Sequence, residues 1–411
     1  MLFTADEFNR HLSPLLVDVP DDADQAVAEV AFSCLVEPGD GFAGAVSEHM
    51  PLPRLLEALI NRSDAGQMIA LLGEEAVTEI ERTFESTWGR LWGNAQQRWL
   101  PRLMKSEVIS ALDWMNQQGS GLPTRHRLVL KSDSGYPQKL TDLNHYAPFA
   151  LWCLGDAELL SAQHSISIVG TRTVSSYGAG VTADLATVAA QNGIVTVSGG
   201  AFGVDAVVHQ SAVALESGTV AVMAGGLGNL YPRGNHQILA GVAQVGAIVS
   251  ECPPWVTPAK FRFLQRNRLI AALTDATVVV EAGATSGALS TATHAVSLGR
   301  QVAVVPGIMD SARSVGCHDF VNRYLGMVRL VARPSEIVEL AGIATDATES
   351  LDTLGRLEKR ALDAFSSHPM EAWEVQRLAG LTVRETQIAL GSLELLELVE
   401  RVGSAYRRVI R

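Results

Sequence analysis

The 411-residue sequence has no uninterrupted apolar run of about 18 residues, so no membrane span is expected. Its start, "MLFTADEFNRHL", lacks the basic-then-apolar order of an export signal, and the expected location is cytoplasmic. Cysteine is scarce. Cys34, Cys153, Cys252 and Cys317 lie far apart and form no CxxC, which argues for reduced thiols and against a disulfide framework or a zinc site. The helix starts near Tyr177 and near Ser286 are neither GxGxxG nor GxxxxGKS/T, so a dinucleotide fingerprint and an ATP-hydrolysing P-loop lack support there.

The chain carries 44 acidic and 32 basic side chains, a formal charge of −12. The excess is local. Residues 1–120 hold 19 acids and 8 bases, whereas residues 161–330 hold 8 acids and 10 bases. Global acidity therefore says little about the partners of the middle region. Within it, "KFRFLQRNRLIA" gathers Lys260, Arg262, Arg266 and Arg268, with Phe261 and Phe263 between the cations.

Residues 1–120 read as a helical, SAM-like N-terminal domain, with helix-period apolar positions in "ADQAVAEVAFSCLV" and "LPRLLEALINR". Trp88, Trp92, Trp99 and Trp114 are expected to pack its core. "QQGSGLPTRHR" reads as a linker. From residue 165, almost wholly apolar runs ("SISIV", "IVTVS", "TVAVM", "AIVS", "ATVVVE", "QVAVV") alternate with helical stretches. Runs of that kind are strands buried on both faces, and the alternation predicts a Rossmann-like, doubly wound parallel sheet over residues 130–340. The fold class is α/β. From 345 to 411 a polar stretch precedes "EVQRLAGL" and "TVRETQIALGSLELLELV", with Thr382 and Glu385 spaced for a capping box, and then "VERVGSAYRRV". That order predicts a winged-helix domain.

Ligands of open parallel sheets bind at the carboxyl ends of the strands. The residues there include Gly170 and Arg172, then Ser198, Gly199 and Gly200. Glycines let a ligand approach backbone closely, and Arg172 among them favours a phosphate-bearing one. Two helix starts, after Ser175–Ser176 and near Ser286 and Gly287, offer free backbone N–H groups to anions. Arg266 and Arg268 are expected to open a helix "RNRLIAALT", with Lys260 and Phe263 in the loop before it. Cations interleaved with aromatics suit a polyphosphate strand with unstacked bases. One basic pocket of Arg172, Arg233, Lys260, Arg266 and Arg268 is the expectation.

At this point "ISIVGTRTVSSYG", "VSGGAFGVDAVVHQSA", "GGLGNLYPRGN", "SECPP", "FLQRNRLIAALTDATVVVEAGATSGALSTATHA" and "GRQVAVVPG" together resemble the DNA-processing protein A (DprA, Smf) family. The resemblance implies a single-stranded DNA-binding protein of natural transformation, which protects incoming DNA and loads the RecA recombinase without catalysis, cofactor or metal. It also implies a homodimer built through the sheet domain. On matching positions it makes Arg172, Arg233, Arg266, Asn267 and Arg268 DNA-binding; Asn235, Lys260, Phe263 and the glycines and serines named above complete the expected DNA site. Thr171, Gly200 and Leu264 depart from the family's usual serine, leucine and proline.

Glu281 at a strand end could serve nucleotide N-glycosidic hydrolysis, although the PGGxGTxxE signature of such enzymes is absent; its plain reading is a cap, or a partner of Arg266 or Arg268. Asp205 and His209, four apart on one helical face, could hold a metal, but two ligands are a weak signal. The presumed recognition helix carries Glu385 and Glu394, so it suits phosphates poorly.

Overall fold

The computed structural model describes residues 3–16, 22–122, 124–344, 354–366, 368–396 and 398–409. Two compact units divide at residue 343. The first begins with helices α1 (Ala5–Glu7), α2 (Ala23–Leu35), α3 (Gly41–His49), α4 (Leu52–Ile60), α5 (Ala65–Leu72), α6 (Glu74–Phe84), α7 (Trp88–Trp99) and α8 (Lys105–Asn116). Asp22, Asp40 and Asp64 accept from backbone N–H groups at the starts of α2, α3 and α5, which fixes where each helix begins. Trp88, Trp92 and Trp99 are buried and pack with Phe32 and Phe42, as the sequence suggested. Trp114 is different: it is half-buried and stacks on His126, with centroids 5.9 Å apart.

The sheet then alternates with helices: β1 (His126–Leu130), β2 (Ala150–Gly155), β3 (Ser165–Val169), α9 (Ser176–Gln191), β4 (Val195–Ser198), α10 (Val204–Ala214), β5 (Thr219–Val222), α11 (His236–Val245), β6 (Ala247–Ser250), α12 (Lys260–Ala272), β7 (Ala276–Val279), α13 (Ala288–Ser297), β8 (Gln301–Val304), α14 (Val315–Arg323), β9 (Val328–Leu330) and α15 (Glu336–Leu340). The nine strands lie in the order β1-β2-β6-β5-β4-β3-β7-β8-β9. From β6 to β9 every pair is parallel; β1 and β2 add an antiparallel edge. Successive residues point to opposite faces, and both faces are covered. Val197, Val220, Val249, Val279 and Val302 face α12 and α13, whereas Ile166, Ile168 and Val278 face α9, α10 and α15.

The N-terminal helices, expected as a domain of their own, share a core with this sheet. Leu12, Val27, Val30, Leu112 and Met115 pack against Leu128, Trp152, Leu154 and Ile248 of β1, β2 and β6. The antiparallel strands β1 and β2 carry that contact, and they lie outside the apolar runs that sequence alone reads as strands.

A polar seam joins the same helices to α12. Arg262 Nε and Nη2 donate to the two oxygens of Glu37 at 2.9 and 2.8 Å, and Arg102 Nη2 donates to it at 2.6 Å. Gly39 N–H donates to Glu251, which also accepts two bonds from Arg268.

The second unit holds α16 (Arg356–Asp363), β10 (Met370–Glu371), α17 (Ala372–Ala379), α18 (Val383–Leu395), β11 (Val399–Val402) and β12 (Ala405–Arg408), with sheet order β10-β12-β11. The capping box of Thr382 and Glu385 forms at the start of α18. The polar stretch that sequence places before this unit lies largely outside the described residues.

Burial alone would raise the Glu37 pKa, but Arg262 and Arg102 outweigh it and hold the carboxyl below its ordinary value. A depressed folded-state pKa adds stability that is complete above the unfolded value and disappears as pH falls through the folded one. Glu37→Gln is therefore expected to cost about 1 kcal/mol at pH 7, since the pair is partly solvated. Urea midpoints of variant and parent should converge in acid; a gap that is the same at every pH contradicts the assignment.

Candidate nucleic-acid interface

Strand order reverses between β3 and β7. Connections run outward from β3 through β4, β5 and β6, then return to β7 on its other side. Such a switch point leaves a crevice beyond the carboxyl ends of the two strands, because their following chains diverge to opposite faces. Here the crevice is a cleft of about 820 Å³, lined by Gly170–Arg172 after β3, Ala201 and Asp205 after β4, the loop Gly283–Ala288 after β7, and one face of α12.

The structure corrects the reading of that last wall. α12 starts at Lys260, not at Arg266, so "KFRFLQ" is helix rather than loop. Helical spacing then sorts its side chains. Lys260, Phe263, Leu264, Asn267 and Ile270 face the cleft, while Arg262 and Arg268 turn to the polar seam with the N-terminal helices.

The cations therefore do not form one basic pocket. Arg172 and Lys260 are exposed on the cleft and have no carboxylate partner among the described residues. The Arg172 guanidinium lies 5.2 Å from the Phe263 ring centroid, and the Tyr231 ring meets Phe263 edge-on at 5.8 Å. Arg233 is exposed on the loop before α11, outside the cleft lining; next to it Gly234 abuts the half-exposed ring of Phe202. Arg268 is buried in a bidentate pair with Glu251 at 2.7 and 2.8 Å, so its charge is spent inside the protein.

Arg266 occupies the centre of the cleft wall and is buried. Its Nη1 donates to Gly199 O at 2.7 Å and also to Val222 O, tying the carboxyl ends of β4 and β5 together. Burial pulls its pKa down to about 10, with the charge of Asp205 opposing that fall. Asp205 Oδ2 in turn accepts from Gly199 N–H at 3.1 Å and Ala201 N–H at 3.3 Å. Its own pKa is raised by burial despite Arg266 and those bonds.

This core network explains several residues expected at the ligand. A side chain on Gly199 would put Cβ 2.4 Å from the Arg266 guanidinium, so glycine is required there by packing. Ser198 is buried and donates to Ile168 O. Gly200 has φ of +67°, and its carbonyl accepts from Asn235 Nδ2, which also bonds Ala201 O. Asn235 is buried, and so braces the turn from behind. Asn267 Nδ2 donates to Gly287 O at 3.1 Å, holding the start of α13 open toward the cleft beside Ser286.

The two helix starts differ. At α9, Ser175 N–H and Oγ donate to Glu281 at 3.0 and 2.5 Å, so an internal carboxylate already fills the anion position. Glu281 is thus a cap rather than a reagent, and it pairs with neither arginine. At α13 no acid takes that place among the described residues. His209 is fully buried, bonded through Nδ1 to Thr219, and burial lowers its pKa to about 3. Among the described residues no group of three or more His, Cys, Asp or Glu side chains is placed to hold a metal.

Sequence reasoning missed Asp205 and Thr285 as cleft residues, and Tyr231 and Phe202 as exposed rings nearby. Extending the helix back to Lys260 would have brought out the cleft face of α12 from its three-and-four spacing.

An open, mostly parallel sheet, with exposed cations and aromatic rings beside the cleft at its switch point, defines an α/β protein of the doubly wound class. The sequence profile of DNA recombination-mediator protein A matches residues 127–341, and the chain belongs to that family. A DprA sequence of Mycobacterium tuberculosis is 43% identical over 228 residues, 54% of this chain and 58% of that one. The match thus spans less than two thirds of that relative. Protein Smf of Escherichia coli is 35% identical over 246 residues, 59% of this chain and 62% of that one. The X-ray structure of DNA processing protein A from Streptococcus pneumoniae covers 78% of this chain and 98% of its own, with a TM-score of 0.56 at 24% identity, an agreement in fold. Among the described residues no helix is long and apolar enough to cross a membrane.

Removing Arg266 would strand two strand-end carbonyls and a buried carboxylate. Arg266→Ala is therefore expected to destabilise unit one by about 3–5 kcal/mol, whereas exposed Arg172→Ala should change stability by less than about 0.5 kcal/mol. Urea denaturation of both variants checks the contrast, which equal losses would refute.

Proposed function

We propose that the cleft binds single-stranded DNA, and that the protein acts in natural transformation by protecting that strand and assisting its transfer to the RecA recombinase. The carrying observation is the set of cations without a carboxylate partner, Arg172 and Lys260 on the cleft and Arg233 on a nearby loop, beside the partly buried ring of Phe263 and the half-exposed rings of Tyr231 and Phe202. Cations track phosphates, and rings stack bases without demanding a sequence. Membership of the recombination-mediator family supports the DNA ligand and the recombinase as partner.

In this reading Arg172, Lys260 and Arg233 contact phosphates, Phe263 stacks a base, and Gly170, Asn267, Ser286 and Gly287 shape the approach. Ser198, Gly199, Gly200, Asn235, Arg266 and Arg268 hold that surface from within. The role is binding rather than catalysis, exercised in the cytoplasm on a Rossmann-like sheet. Residues 354–409 serve as a winged-helix accessory; α18 exposes Ile388 and Leu395 and carries Glu385 and Glu394, a face suited to protein contact. A homodimer through the β9 side of the sheet is supported by the exposed apolar side chains Ile308, Met309, Leu325, Met327 and Leu330.

Each phosphate contact on a single strand contributes a slope of about −0.7 in log affinity against log salt. Arg172→Ala and Lys260→Ala should each weaken poly-dT binding and flatten that slope by about this amount. Fluorescence anisotropy across a salt series measures both, and variants that keep parental affinity and slope refute the site. Deleting residues 344–411 should weaken binding by less than about tenfold, or roughly 1.4 kcal/mol. A loss of several orders of magnitude in a folded truncation would show that the second unit carries the ligand instead.

A further inference from the structure

Beyond the cleft, and resting on its reading as a DNA site, we propose a second subsite for one nucleobase on the opposite side of α12. Helix α12 is a wall shared by two depressions. Lys260, Phe263, Leu264 and Asn267 face the cleft, whereas Phe261 and Gln265 line a separate hollow of about 340 Å³ against the N-terminal helices. Its other walls are Phe42, Phe84, Leu91, Asn94 and Arg98. That volume lies near the lower end of small-molecule pockets, about 300–1,000 Å³, which suits a nucleoside-sized group rather than a folded partner.

The chemistry of the lining fits a base. Phe261 is half exposed and held in place, because the Arg262 guanidinium lies 5.0 Å from its centroid and is itself fixed by Glu37. A half-exposed ring of this kind is a stacking platform that accepts any base. Asn94 and Gln265 each carry an amide donor and acceptor with no hydrogen-bond partner among the described residues, the groups that match a base edge.

Electrostatics do not oppose it. The acids lining the hollow are Glu37 and Asp40, and both are occupied: Glu37 by Arg262 and Arg102, Asp40 by Arg98, Trp99 Nε1 and the N–H of Ala43. The floor is built rather than accidental. Gly39 has φ of +72°, and a Cβ there would stand 2.9 Å from Gln265 Oε1, so glycine lets the loop lie flat against α12. Lys260 and Phe261 are neighbours in the first turn of α12, so a strand leaving the cleft past Lys260 reaches the hollow by crossing that turn.

Oligonucleotide length separates the two sites. The full chain is titrated with oligo-dT of about six and about twenty nucleotides, within and beyond the range of one binding groove. Phe261→Ala is expected to weaken the longer oligonucleotide about tenfold and leave the shorter unchanged; Asn94→Ala, on the N-terminal helices, should act in the same direction with a smaller effect. Both side chains are exposed, so thermal midpoints should stay at the parental value. Equal losses on both lengths would place Phe261 in the cleft and overturn the subsite, as would parental affinity of Phe261→Ala for the longer strand. A parent protein that binds neither length overturns the cleft reading itself, and the subsite with it.

Discussion

Much of the first unit's ligand edge depends on one buried guanidinium. Arg266 bridges the carbonyls of Gly199 and Val222, at the ends of adjacent strands β4 and β5. Strand ends in a parallel sheet present unpaired carbonyls, and burying them without donors is costly. A single guanidinium nitrogen, Nη1, donates to both, and so one buried cation serves two strand ends. Asp205 completes the arrangement by accepting the N–H groups of the Gly199–Ala201 turn while its charge offsets that of Arg266. The turn is thereby rigid before any ligand arrives, and Gly170, Arg172 and Lys260 stand around a preformed surface.

The same logic resolves the contrast between an acidic chain and a cationic stretch. Helix geometry divides the stretch by direction rather than by charge. Arg262 meets Glu37 of the N-terminal segment, and Arg268 meets Glu251, which also accepts from Gly39 N–H, so half of its cations are spent at the seam between the N-terminal helices and the sheet. Lys260 is left facing outward, joined by Arg172 and Arg233 from distant parts of the sequence. A local charge count cannot make this division, since it treats a buried ion pair and a free surface cation alike.

What was legible in the sequence follows from what has a local period. The six apolar runs became β3 to β8 because strands buried on both faces leave an unmistakable signature. Their carboxyl ends located the cleft through topology, and the starts of α9 and α13 through Ser175 and Gly287. The antiparallel pair β1 and β2 was not legible, nor was the shared core it makes with the N-terminal helices. Those contacts join residues more than a hundred positions apart, such as Leu12 and Leu128. The start of α12 was lost for a different reason: alternating Lys, Phe, Arg, Phe imitates a strand or loop, and the helix begins without a side-chain cap. The roles of Glu281, Arg266 and Arg268 needed coordinates, because a sequence cannot say which partner a charge has found.

The filled anion positions bear on which ligand the edge suits. A mononucleotide site of the dinucleotide-binding type uses the first helix after β3 to hold a phosphate on free N–H groups. Here Glu281 sits at the start of α9, and a phosphate placed there would meet a carboxylate. Asp205 similarly occupies the N–H groups of the turn after β4. Backbone cradles are thus closed at two of the positions that would define a compact nucleotide pocket. What remains for an anion is the open start of α13 and long, solvated side chains spread along the cleft and its neighbouring loop, with aromatic rings between them. Long, exposed side chains on separate loops fix no single phosphate geometry, but they follow a chain of phosphates, and rings accept its successive bases. Because the protein's own carboxylates occupy those interior positions, the switch-point crevice accords with the proposed strand ligand rather than with a single nucleotide.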